Sequence, residues 1–116
     1  MAGQIEKFKV TILEGNSGAQ VLPSVAPGQR PVSLKTALGY AVQCTIFSPG
    51  DADGDVTVQY SADDDDLEWY DSDTVVTAAS VKTFVPAAAE AMNLNMSTGA
   101  GADRDFWVEF QYDMAT

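Results

Sequence analysis

The stretch Asp51-Ala52-Asp53-Gly54-Asp55 places three carboxylates at alternate positions of a turn. Calcium takes about six to eight oxygen ligands, and alternate aspartates in a turn can supply several of them. An EF-hand loop needs glycine at its sixth position and glutamate at its twelfth, whereas here glycine is fourth and residue 62 is alanine. A hydrated turn is therefore favoured, and Asp51, Asp53 and Asp55 remain weak calcium candidates.

A second acidic segment, Asp63–Asp66, contains aspartate at every position. Adjacent carboxylates repel one another, and the repulsion is small enough to be tolerated only in water or beside cations. An exposed loop tip is the favoured interpretation, and a site for the basic patch of a partner or for a divalent ion is the alternative. We expect both acidic segments to face solvent, on the side away from any partner.

The negative charge is concentrated in one part of the chain. Of 116 residues, 17 are acids and 6 are bases, and ten of the acids lie within residues 50–73, which contain no Lys or Arg. Without clustered Lys and Arg, binding to nucleic acid through its phosphates is not expected. The chain has no run of about 18 apolar residues that would predict a membrane span, and its first residues lack the apolar core of a secretory signal.

Groups that could carry catalysis are sparse. The sequence has no histidine and a single cysteine, Cys44, which excludes His-dependent triads, an internal disulfide and a cysteine-based zinc site. Cys44 lies within the most apolar strand, which predicts a buried structural thiol. Glu68, Asp105 and Glu109 are the candidates for a glycosidase pair, but their spacing does not indicate a cleft. We expect no enzymatic activity and no cofactor.

Four aromatic residues could form a platform on which sugars stack: Trp69, Tyr70, Trp107 and Tyr112. In a small β-sandwich, however, tryptophans more often fill the core or an interface. A carbohydrate-binding or adhesion module therefore stays an alternative.

The elements that would position these residues are strands, because apolar residues recur with period two. Strands are predicted at 5–13, 19–22, 38–47, 56–60, 67–70, 74–77, 81–85, 92–96 and 104–112, the first with an irregularity near Lys7. No helix longer than one turn is expected. The prediction is a single all-β domain, 1–116, built as an antiparallel β-sandwich or jelly-roll-like barrel of about eight strands. Residues 1–37 are expected to form an N-terminal arm or strand segment for inter-subunit contacts. For the proline-containing residues 23–36, a long ordered loop is the alternative to an extended arm.

One pattern runs from Gly54 through Ser61 to Asp66, continues through Leu67-Glu68-Trp69-Tyr70-Asp71-Ser72-Asp73-Thr74, and ends with the closing strand from Arg104 to Phe110. It resembles the hairpin and final strand of small all-β structural proteins from tailed bacteriophages. It extends over about residues 38–112 and leaves the first third unmatched. This chain departs from the pattern by extra aspartates where glycine and asparagine are common.

The resemblance implies a virion component, and the size of the chain suits a capsid decoration (cement) protein. Such proteins sit on the outer capsid surface, commonly as trimers, and clamp neighbouring major capsid subunits after assembly in the host cytoplasm. We expect partner contacts from the N-terminal segment, at Ile5, Phe8, Val25, Pro27, Arg30 and Pro31. A head-fibre, tail or head–tail junction protein is the alternative within virions.

Overall fold

The computed structural model describes residues 3–22, 41–63, 67–87, 89 and 91–113. These residues form eight strands and no helix, so none of them belongs to a helix that could cross a membrane. The strands are β1 (Gly3–Ile12), β2 (Gly18–Leu22), β3 (Ala41–Phe47), β4 (Val56–Ser61), β5 (Tyr70–Val76), β6 (Val81–Phe84), β7 (Ala91–Met96) and β8 (Arg104–Asp113).

The strands form two antiparallel sheets. Sheet A has the order β1-β8-β3-β6 and sheet B the order β2-β7-β4-β5. The pairs β1·β8, β2·β7, β3·β6 and β4·β5 nest inside one another, as in one long hairpin that has been rolled up. Rolling adds the pairs β3·β8 and β4·β7. The all-β prediction is confirmed, and the strand order is that of a jelly roll.

The core lies between the sheets because alternate residues of each strand point inward. On β8 the inward side chains are Phe106, Val108 and Phe110, all fully buried. From sheet B they meet the equally buried Met92, Leu94 and Met96 of β7. Together with Val10, Ile12, Val21, Cys44, Ile46, Val56, Val58 and Val76, these residues form one hydrophobic cluster.

Strand β1 pairs with β8 from Gly3 to Ile12 without a register shift, so the predicted irregularity near Lys7 is wrong. The apolar residues of β1 change from odd to even positions because Ile5 faces outward, with 62% of its surface exposed, whereas Val10 and Ile12 face the core.

The other sequence-level error concerns β5. One strand, Tyr70–Val76, replaces the two that were predicted around residues 67–70 and 74–77. Thr57 pairs with Val75 and Gln59 with Asp71, so four residue-to-residue steps of β5 lie opposite two such steps of β4. The bulge carries Asp71, Asp73 and Val75 to the outside, where all three are exposed.

The two ends of the sandwich differ. At one end, four loops (residues 13–17, 48–55, 77–80 and 97–103) are joined by backbone hydrogen bonds. These bonds are Gly15 N to Ala100 O (2.9 Å), Ser97 N to Asp55 O (2.9 Å), Ser48 N to Ser80 O (2.9 Å) and Ala79 N to Pro49 O (3.1 Å). We call this the stapled end. At the opposite end, β1 begins at Gly3, β2 ends at Leu22, β3 begins at Ala41 and β8 ends at Asp113.

Candidate partner-binding surfaces

Arg104 holds the acidic turn at the stapled end. Its Nε donates to Asp53 Oδ2 (2.8 Å), its Nη2 to Asp53 Oδ1 (3.1 Å) and its Nη1 to Asp51 Oδ2 (3.0 Å). Asp53 also accepts from the backbone N–H of Gly101 at 3.0 Å. The guanidinium fork matches a carboxylate in two parallel bonds, which is the strongest geometry for this kind of pair.

The cation that pairs with the acidic turn is therefore Arg104 of the same chain. Arg104 engages two of the three calcium candidates, and Asp55, which is exposed, contributes only its backbone carbonyl, to Ser97. Within the described part of the chain, no group of three acids, cysteines or histidines is arranged to hold a metal ion. Arg104 is the sole base in residues 83–116, and this isolation is the sequence signal that could have suggested its pairing with the acidic turn.

The ion pair shifts both groups in the expected directions. The hydrogen bonds from Arg104 lower the pKa of Asp53, and the Gly101 N–H lowers it further. The hydrogen bond to Asp53 raises the pKa of Arg104 in turn. Both groups stay charged at neutral pH, so the turn is fixed to the first residue of β8.

Asp63, the described residue of the second acidic segment, lies at the other end of the molecule; residues 64–66 lie outside the described residues. Ser61 Oγ, which is buried, donates to the Asp63 carbonyl (2.9 Å) and accepts from the Glu68 N–H (3.2 Å). Asp63 is exposed, as predicted. Strand β4, however, separates Asp55 from Asp63 by about 20 Å. Asp55 and Asp63 therefore cannot both face away from a partner that binds at one end.

The outer face of sheet A carries apolar and basic residues. Lys7 Nζ lies 5.0 Å from the centroid of the Phe47 ring and 5.4 Å from that of Trp107. Ile5 and Val81, on the two edge strands of the sheet, are 62% and 59% exposed, and Trp107 is 45% exposed. Sequence reasoning missed this cluster because its residues come from four strands.

The predicted partner-binding residues divide into two groups. Ile5 is exposed on β1, near the end opposite the stapled one. The backbone of Phe8 pairs with Val108 inside the same sheet. Val25, Pro27, Arg30 and Pro31 lie outside the described residues. Of the segment 1–37, residues 3–22 are integral to the two sheets.

The aromatic residues do not form one platform. Trp69 packs against the core, Tyr70 begins β5 in sheet B, and Trp107 points outward from sheet A. The side chain of Tyr112 lies outside the described residues. Of the tryptophans, only Trp107 is exposed enough to stack on a ligand.

The acids considered for glycoside hydrolysis are also apart. Asp105 and Glu109 are four residues apart on β8, about 13 Å along the strand, which exceeds the spacing that such a pair needs. Asp105 accepts from Thr11 Oγ1 at 2.7 Å, and Glu68 lies in the loop before β5. Cys44 is fully buried as predicted, and burial raises its pKa to about 12.

A row of polar side chains crosses sheet B on its outer face. Asn93 Nδ2 donates to Gln59 Oε1 (2.9 Å), and Gln59 Nε2 donates to Asp71 Oδ1 (2.8 Å). The side-chain amides of the row donate to acceptors within the row, so the row joins three strands and leaves few groups for a ligand.

Comparison of the chain with known protein families, curated proteins and solved structures finds no match.

Proposed function

We propose that the chain is a non-enzymatic structural protein of a tailed-bacteriophage virion. More specifically, we propose a decoration protein that binds the outer capsid surface and stabilises the lattice of the major capsid protein. The resemblance of the Gly54–Asp71 hairpin and of the closing strand supports the class. Such a protein acts by adding interface area: a molecule that binds the assembled shell and not its alternatives stabilises the shell by mass action.

The observation that carries the proposal is the contrast between the two ends of the jelly roll. The stapled end is closed by hydrogen bonds and by the Arg104 ion pairs. At the opposite end β1 begins, β2 ends, and the exposed Ile5 lies nearby. Shell contact through that end uses Ile5 and the segment of Val25, Pro27, Arg30 and Pro31, and it leaves the acidic turn facing away. Asp63 then lies on the shell side, which revises the expectation for the second acidic segment.

Counting copies in purified particles tests the class and the role together. A decoration protein is present at a copy number comparable with that of the major capsid protein. A head-fibre, tail or junction protein is present far below that level. Absence from the particles would contradict every virion role, and a cryo-electron microscopy map would give the location.

A matched pair of substitutions tests the end that binds. Ile5→Ser and Leu13→Ser each remove an exposed aliphatic side chain, 62% and 53% exposed, near opposite ends of the sandwich. We expect Ile5→Ser to lower the occupancy of the particle and Leu13→Ser to leave it unchanged. Equal occupancy for both variants would contradict attachment through this end.

The carbohydrate-binding alternative now depends on Trp107. Binding to a glycan array that disappears in Trp107→Ala, in a chain absent from particles, would replace the virion proposal by that alternative.

A further inference from the structure

Two edge strands of this molecule carry opposite charge. Strand β1 is an edge of sheet A and strand β5 is an edge of sheet B, so neither has a second neighbour among the described strands. The outward side chains of β1 include Lys7 and Lys9, and those of β5 include Asp71 and Asp73. We call these pairs the basic edge and the acidic edge. In both, two like charges are spaced two residues apart on an exposed face.

The cations of the described residues are confined to one sheet. Lys7, Lys9, Lys82 and Arg104 all lie on strands of sheet A, whose strands also carry four acids, Glu6, Asp105, Glu109 and Asp113. The strands of sheet B carry Asp71 and Asp73 and no Lys or Arg. Asp105 and Glu109 of β8 lie one strand inward from the basic edge, so a partner that approaches the edge meets the lysines first.

The charges of both edges remain accessible. Lys9 lies 4.0 Å from Asp105, but both side chains are about half exposed (46% and 51%), so this pair contributes little. Lys7 lies over two aromatic rings, a contact that leaves its N–H groups available to a carboxylate. Asp71 uses one oxygen to accept from Gln59.

Apolar surface accompanies the charge on each side. Trp107 and Ile5 beside the basic edge are 45% and 62% exposed, and Val75, on the same face of β5 as Asp71 and Asp73, is 42% exposed. Each edge therefore offers two charges with exposed apolar surface beside them, and the charges are of opposite sign. Interfaces combine apolar contact area with complementary charge that fixes the register.

We propose that the basic edge of one copy binds the acidic edge of a second copy. β1 lies beside β2 on one side of the sandwich and β5 lies beside β6 on the other, so one molecule can use both edges at once. The contact joins two different surfaces, and such heterologous contacts close into a ring or extend as a chain. The bulge in β5 interrupts a regular ladder, so side chains and not continuous backbone pairing make the contact.

This inference rests on the proposed function in one respect: the resemblance to capsid decoration proteins implies that the chain associates with itself. The two can still fail separately. A chain that associates in solution but is absent from particles contradicts only the virion role, and a monomer that occupies particles contradicts only the edge contact.

The experiment uses the purified full chain and two charge-reversed variants, Lys7→Glu/Lys9→Glu and Asp71→Lys/Asp73→Lys, in sedimentation velocity. We expect the wild-type chain to form oligomers that weaken as salt is raised, because the contact includes exposed ion pairs. Each variant alone should lose the oligomer, since both of its edges then carry the same sign. An equimolar mixture of the two variants should recover association, because each basic edge again meets an acidic one.

Controls keep the result specific. Glu14→Lys/Asp55→Lys adds the same charge as the aspartate variant at exposed positions of the stapled end, and it should associate like the wild type. Circular dichroism verifies that each variant is folded, and Lys7→Glu and Asp73→Lys as single changes replace any double variant that is not. A monomeric wild type, an oligomer that persists in both variants, or a mixture that fails to associate would overturn the proposal.

Discussion

At the scale of single residues, Gly54 is fixed by a close approach between loops. A Cβ built on Gly54 collides with Ser97 Oγ, whereas a Cβ on Gly50, in the same loop, meets nothing within 4 Å. Glycine often serves a turn by adopting a positive φ, but Gly54 has none. Its small size instead lets the β3–β4 loop lie against the residues that follow β7.

Gly54→Ala therefore should lower the free energy of unfolding by about 1 kcal/mol, the cost of turning the exposed Ser97 side chain away from the added methyl group. Gly50→Ala is the matched control and should change it little. Urea denaturation of both variants measures the difference. Equal stability of the two variants would contradict the role assigned to the contact with Ser97.

Cys44 gives a second prediction at this scale. The thiol is fully buried and its pKa is raised to about 12, so it is protonated and inaccessible in the folded chain. We expect no reaction with a thiol-specific reagent until urea unfolds the protein. Cys44→Ala/Thr83→Cys, which moves the thiol to an exposed position of β6, should react at once. Rapid labelling of the native wild type would show that β3 opens locally.

At the scale of elements, the Arg104 pairs couple the β3–β4 loop to the start of β8. The folded state lowers the pKa of Asp53, so at acidic pH the unfolded chain binds more protons than the folded one. The stability that this pair contributes is present above the unfolded pKa of aspartate, about 4, and is lost as pH falls through the lower folded value.

Asp53→Asn tests this coupling. We expect the variant to be less stable than the wild type at neutral pH, and the difference to shrink as pH falls below about 4. Thermal melts over a pH series measure it. Asp55→Asn is the control, because the Asp55 side chain is outside the Arg104 pairs, and it should show no such convergence. A pH-independent difference for Asp53→Asn would mean that its charge is not what matters.

Sequence reasoning worked best for single strands. The period-two pattern predicted a strand at 104–112, and the structure has β8 there with Phe106, Val108 and Phe110 buried on one face, because that face of a sandwich strand meets the core. It failed at β5, where the chain runs through a bulge that only pairing with β4 defines. The position of Arg104 beside Asp53 was also missed, because 51 residues separate them in the chain.

At the scale of the whole molecule, both sheets contribute to one core. Phe106 and Trp107 are adjacent on β8 and face opposite sides, the first fully buried and the second 45% exposed. Phe106→Ala should lower the free energy of unfolding by about 3–5 kcal/mol, because it leaves a cavity between the sheets.

Trp107→Ala is the internal control for that variant. It removes an exposed aromatic ring beside Lys7 and should cost about 1 kcal/mol or less. Urea denaturation, at protein concentrations too low for self-association, measures both variants. Comparable losses would contradict the exposed position of Trp107 in the single chain.

The sequence by itself determined features that depend on neighbours along the chain: the all-β class, most of the strands and the exposed acidic turn. Only the tertiary structure decided the jelly-roll order and the placement of Asp55 and Asp63 toward opposite ends. It also decided the pairing of Arg104 with Asp51 and Asp53 and the opposite charge of the two edges. The physical reason is that side-chain periodicity is local, whereas strand pairing joins residues far apart in sequence and leaves no periodic signal of its own.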